Sequence, residues 1–108
     1  MAARTVEHPP ACDITAVDVF ASLGDQTRIA IVRTLCAAGG EMPWGSFDLP
    51  IARSTLSHHL KVLRNAGIVR CRQDGTRSFV SLRLDDLDRR FPGLLQIVLS
   101  DTEVPAHE

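Results

Sequence analysis

The residues best placed to do chemistry in this chain are cations, and they are bunched. Between Arg53 and Arg83, thirty-one residues hold seven Lys or Arg (Arg53, Lys61, Arg64, Arg70, Arg72, Arg77, Arg83) and one acid, Asp74, a local charge of +6. The remainder carries five cations and twelve acids, so the formal total of −1 conceals a −7 half. A polyanion responds to local positive potential, not to the sum. The chemistry predicted is therefore phosphate capture by guanidinium and ammonium donors. Ser54, Thr55, Ser57 and His58 lie among those cations and reach phosphates or base edges. No Ser-His-acid constellation and no paired-carboxylate motif has a defensible spacing, so no enzyme is expected.

These residues need elements to present them. Leu56, Leu60 and Leu63 mark a helix over Arg53–Ala66, stopped by Gly67. With Leu56 at 0°, Ser54, Ser57, His58 and Lys61 fall roughly 100–200° away and point outward. That face carries no acid, unlike an ordinary solvated face, which mixes in Glu and Asp. His59 falls at the edge of the apolar stripe, as a satisfied boundary histidine or a phosphate contact. Val69, Cys71 and Phe79–Leu82 are β-prone runs around Gln73-Asp74-Gly75-Thr76, a hairpin signal. Arg70, Arg72 and Arg77 flank that turn; they either reach phosphates or blunt an edge strand. Arg28, beside Asp25, reads as an intramolecular pair.

Before this segment, Ile14, Val17, Phe20 and Ala21 recur at helical spacing, with Asp13 as N-cap. Asp25 caps a second helix, whose apolar residues Ile29, Ile31, Val32, Leu35 and Cys36 fall on two faces and place it centrally. Met42–Leu49 holds Pro43 and Gly45, so any helix there is one or two turns. Beyond Arg83, Asp85 caps a short helix, and Pro92 fits the first turn of another carrying Leu94, Leu95, Val98 and Leu99. The order is helix, helix, short helix, helix, hairpin, helix: mainly α, a winged helix-turn-helix.

At 108 residues and 44% apolar, the chain is one domain. Residues 1–12 read as a flexible arm, 13–100 as the DNA-binding and dimerisation domain, and 101–108 as a flexible tail. No window is apolar for long enough to span a membrane, and the N-terminus lacks a secretory pattern. Cys12, Cys36 and Cys71 form no CxxC, which favours free thiols in a reducing cytoplasm. Cys36 and Cys71 read as small core residues.

Leu23-Gly24-Asp25-Gln26-Thr27-Arg28-Ile29-Ala30-Ile31-Val32 resembles the L-x-D-P-T-R-x-x-I-L opening of the ArsR family of bacterial repressors. Ser54-Thr55-Leu56-Ser57-His58-His59-Leu60-Lys61-Val62-Leu63 is similar to its recognition helix. Asn65-Ala66-Gly67-Ile68-Val69 with Asp74-Gly75-Thr76-Arg77 resembles its helix-to-wing junction and wing. The resemblance covers about Phe20 to Leu84. It implies a homodimer that binds a palindromic operator in double-stranded DNA and releases it on a metal or other signal. The DNA-binding set is then Arg53, Ser54, Thr55, Ser57, His58, Lys61, Arg64, Arg70, Arg72 and Arg77.

Three departures qualify it. Gln26 replaces Pro at a helix start. Ala52 replaces a Ser N-cap, at a cost of about 1 kcal/mol. The family's metal motifs are missing from Glu41–Leu49 and from the C-terminal helix, so no metal and no cofactor is expected. Donors elsewhere are scattered: His8 and Cys12 in the arm, Asp101, Glu103 and His107 in the tail. Val17, Phe20, Phe91, Leu94, Leu95 and Val98 offer more apolar surface than a small head needs and form the expected dimer interface. The competing reading is a winged-helix module that sets its basic hairpin on an acidic protein.

Overall fold

Helix α2 (Gln26–Ala38) runs through the middle of the molecule, with Ile31, Val32 and Leu35 buried. Its apolar residues on two faces need cover on both sides. Asp25 starts it: Oδ1 accepts the Arg28 N–H at 3.0 Å, and that bond holds the carboxyl below the ordinary aspartate range. The computed structural model describes residues 4–5 and 7–100; residues 1–3, 6 and the predicted tail 101–108 lie outside.

Around α2 stand α1 (Ala16–Leu23), α3 (Arg53–Asn65), α4 (Leu84–Arg90) and α5 (Leu94–Ser100). Strands β1 (Arg4–Thr5), β2 (Met42–Pro43), β3 (Val69–Asp74) and β4 (Arg77–Leu82) form one antiparallel sheet in the order β1-β3-β4-β2. This is the winged helix-turn-helix that the element order predicts, with β3–β4 as the wing. Leu56, Leu60 and Leu63 of α3 face the core, as their spacing requires.

Two glycines shape the unit of α3 and the wing. Gly67, with φ +85°, lets the chain leave α3 and enter β3, while Ile68 N–H bonds back to Leu63 C=O at 3.0 Å. A Cβ there would sit 2.4 Å from Ile14 Cγ1, so both backbone and space demand glycine. Gly75 (φ +61°) and Thr76 join β3 to β4, with Asp74 opposite Arg77. Positive φ at the first turn position alone suits a II′ connection.

Several expectations need correction. Met42–Leu49 holds no α-helix: Met42 and Pro43 pair with Val80 and Phe79 at the sheet edge, followed by one 3-10 turn, Trp44–Ser46. Pro43 lacks an N–H, which an edge strand tolerates. The first helix is capped by Thr15, not Asp13, through a 3.2 Å bond from Asp18 N–H. Asp85 lies inside the first turn of α4, and Pro92 precedes α5 rather than opening it.

The stretch read as an arm is docked where it is described. Thr5 pairs with Arg72, and His8 Nε2 accepts the Cys71 N–H at 2.9 Å. Pro9 C=O accepts from Arg83, whose guanidinium is buried against Asp86 at 2.9 Å. Arg83 thus belongs to the fold, although it counts among the clustered cations.

The dimer set also divides. Leu94, Leu95 and Val98 are 8%, 8% and 6% exposed, in the chain's own core, and Phe91 packs half-buried beside them. Arg33 donates twice to Val98 C=O, drawing α5 onto α2. Helical spacing identifies an apolar face but not what it faces. Val17 and Phe20 are 77% and 64% exposed, and Ile97 is 68% exposed on the outer side of α5.

Candidate nucleic-acid interface

On helix α3, Arg53, Ser54, Thr55, His58 and Lys61 are exposed and Ser57 is half-buried. Ala52 makes no side-chain cap, so the first-turn N–H groups of α3 have no side-chain acceptor there. Arg64 turns partly inward: its Nε is buried without a hydrogen-bond partner among the described residues, and its charge bears on Cys71. Burial pushes the Cys71 thiol above its ordinary range, which suits an inert core residue.

His59 takes the boundary position. Arg28 Nη1 lies 3.2 Å from His59 Nδ1, and Arg28 Nε donates to Ser22 C=O. Arginine only donates, so Nδ1 accepts and the ring proton sits on Nε2. The Arg28 side chain therefore serves α1 and α3; Asp25 is bonded by its backbone N–H.

The wing cations are not equivalent. Arg72 is held in a two-bond fork by Glu41, Nη2 to Oε1 at 2.7 Å and Nε to Oε2 at 2.9 Å. Its guanidinium also lies over the Phe79 ring, 4.5 Å from the centroid. Arg70 remains exposed, with Asp86 at a long 3.8 Å. Arg77 stands over the same Phe79 ring at 5.1 Å. Among the described residues, Arg53, Lys61 and Arg77 make no ion pair.

Between the start of α3 and the tip of the wing runs a solvent-open groove of about 510 Å³. Arg53 and Ser57 of α3, Thr76 and Arg77 of the wing, and Trp44 and Ser46 of the 3-10 turn are among the residues that line it. Helix and wing thus each contribute an arginine to one groove.

The sequence profile of bacterial regulatory proteins of the arsR family matches residues 25–70. The HTH-type transcriptional regulator YceK of Bacillus subtilis is 37% identical over 86 residues, 78% of this chain and 86% of that protein. The chain belongs to the ArsR family. A further relative of this ArsR-family regulator is the HTH-type transcriptional regulator MJ1325 of Methanocaldococcus jannaschii, 33% identical over 84 residues, 77% of this chain and 90% of that one. The crystal structure of Mycobacterium tuberculosis Rv0081 superposes with a TM-score of 0.56 at 31% identity, covering 86% of this chain and 96% of that one. The protein is a DNA-binding transcriptional regulator, not an enzyme.

Glu41, Phe79 and Arg83 carry roles that the sequence reading did not assign. Phe79 was within reach of it. Counting back from the Gly75–Thr76 turn pairs Asp74 with Arg77, Gln73 with Ser78, and Arg72 with Phe79. Cross-strand partners pack together. Glu41 depends on Arg72, thirty-one residues away, and leaves no local mark; Arg83 pairs locally with Asp86, but its bond to the Pro9 carbonyl spans seventy-four residues. Among the described residues of this ArsR-family chain, no three His, Cys, Asp or Glu side chains converge. The donors Asp101, Glu103 and His107 lie outside them.

Glu41→Gln is expected to release Arg72 and make the salt dependence of duplex binding steeper by up to about one phosphate contact per protomer. The Arg72 hydrogen bond holds the Glu41 carboxyl below its ordinary range. The pair is therefore intact above that range and lost only as pH falls through the depressed value. Substitution at neutral pH is the cleaner lever, and an unchanged salt slope would show that Arg72 has no phosphate within reach.

Proposed function

We propose that this regulator is a repressor that binds a palindromic operator as a homodimer, with α3 in the major groove and the β3–β4 wing on the adjacent backbone. The observation that carries the reading is the unpaired positive charge gathered around α3. Arg53, Lys61 and Arg77 have no acidic partner among the described residues and surround an α3 face with no acid on it. Ser57 and His58 supply base-edge contacts at the centre of that face. Arg70 adds a phosphate contact from the wing, and Arg72 does so only if Glu41 gives it up.

Pairing is supported by apolar surface that the single chain leaves open. Val17 and Phe20 on α1, with Ile97 and Leu99 on α5, are exposed large hydrophobics. A second copy would cover them and join two modest heads into one tight binder. Occupation of a promoter by such a dimer represses without any further contact.

The test is duplex binding titrated against salt, with sedimentation on the same samples. Affinity should fall by orders of magnitude between about 50 and 200 mM salt if six to ten phosphates are contacted. Phe20→Glu and Ile97→Glu should yield folded monomers at micromolar concentration, since both positions are exposed. Leu95→Glu and Val98→Glu would strike the core instead. A wild-type monomer would contradict the dimer. Salt-insensitive binding, with capture of an acidic protein, would favour the interaction-module reading.

A further inference from the structure

The groove between α3 and the wing is lined from β2 and the 3-10 turn after it, the first turns of α3 and the wing around its tip. Its lining includes two arginines and the hydroxyl residues Ser46, Ser57, Thr76 and Ser78, and no carboxylate. Three other arginines in this region find acids: Arg72 with Glu41, Arg70 and Arg83 with Asp86. Arg53 and Arg77 do not. The Arg53 guanidinium reaches across to the 3-10 turn, where a Cβ on Gly45 would stand 3.8 Å from Nη2. Two like charges lining one groove repel, and an anion between them relieves the repulsion.

We propose that this groove seats one phosphodiester of the DNA backbone, held jointly by Arg53 from the recognition helix and Arg77 from the wing. The inference rests on the DNA-binding reading and deepens it, because it assigns one phosphate to both elements. A phosphodiester fits better than a free phosphate compound. The groove is open to solvent, and its 510 Å³ far exceeds the roughly 30 Å³ share of one water molecule. A chain with sugars on both sides can lie in it. The uncapped first turn of α3 adds N–H donors and the positive end of a thirteen-residue helix beside Arg53. A phosphate shared in this way sets the register of helix and wing on the duplex together.

The test uses the full chain and a duplex selected from random sequence, with a single uncharged methylphosphonate placed at each backbone position in turn. At one position per half-site, neutralisation is expected to weaken wild-type binding roughly tenfold, and Arg53→Ala and Arg77→Ala should each lose a similar factor on unmodified DNA. At that position the losses should not multiply, and the Arg53→Ala/Arg77→Ala double variant should be indifferent to the modification. The salt slope counts phosphates rather than arginines, so the double variant should lower it by about one per protomer. Both side chains are exposed, and unchanged circular dichroism will confirm that the variants fold.

Sensitivity of the two arginines to different backbone positions, or a slope lowered by about two, would overturn the shared seat and leave DNA binding standing. Absence of salt-sensitive duplex binding by the wild type would remove the DNA reading and this proposal together. Inorganic phosphate provides the remaining arm. Saturable shifts of the Gly45, Ser57 and Thr76 amides at micromolar phosphate, with displacement of DNA, would make a free phosphate compound the occupant and overturn the proposal.

Discussion

Gly67→Ala is expected to destabilise the domain by about 2–5 kcal/mol, the sum of left-handed backbone strain and overpacking. The first contribution follows from φ +85°, where a Cβ meets its own backbone. The second follows from Ile14, whose side chain stands 2.4 and 2.6 Å from the position the new methyl would take. Ile14 is 1% exposed, enclosed in the core, so it moves only by displacing its neighbours. Total stabilities are about 5–15 kcal/mol, so the melting temperature should fall by roughly 10 °C at least. Gly75→Ala is the control, because φ is +61° but no atom lies within 4 Å of the added carbon. It should cost only the backbone strain. Thermal melts of both variants decide the matter, and equal losses would show that crowding against Ile14 is not felt. Ile14→Ala in the Gly67→Ala background should cost less than the two changes separately.

His58→Ala and Ser57→Ala are each expected to lose about 1–3 kcal/mol of operator binding where the side chain reads a base edge. The loss should be selective: the preferred duplex suffers, random duplex barely changes, and discrimination between them narrows. Arg77→Ala should instead weaken both duplexes alike, because a wing cation meets phosphate. Competition binding at fixed salt separates the two signatures. Operator affinity unchanged in all three variants would remove α3 and the wing as the reading surface. His58 is exposed and Ser57 half-buried at the groove wall, so neither change should disturb the core.

The reading head was legible in the sequence because its cues are local. Leu56, Leu60 and Leu63 repeat at helical spacing, and Asp74-Gly75 between β-prone runs marks the hairpin turn. Asp25 and Ala52 gave the two cap outcomes found, one bonded and one not. What escaped was set by distant partners. Met42–Pro43 is too short to show a period, and only β4 makes it a strand. Leu94, Leu95 and Val98 have the same spacing whether they meet a second copy or their own α2 side. Arg72 reads as a free cation until the fold brings Glu41 beside it. Residues 7–12 have the composition of a loose arm, yet His8 and the Pro9 carbonyl are fastened through Cys71 and Arg83.

Arg28 has one more consequence. Its side chain joins the last turn of α1, through Ser22, to the middle of α3, through His59, while its own backbone sits on the Asp25 cap. The helix that leaves Val17 and Phe20 exposed and the helix proposed to face DNA are thereby braced against each other. In a pair joined through α1, the two reading helices could not swing independently to suit different targets. One extra base pair between half-sites rotates the second by roughly a tenth of a turn. A braced pair would reject such a site even with every base contact correct, so it would measure spacer length as well as sequence.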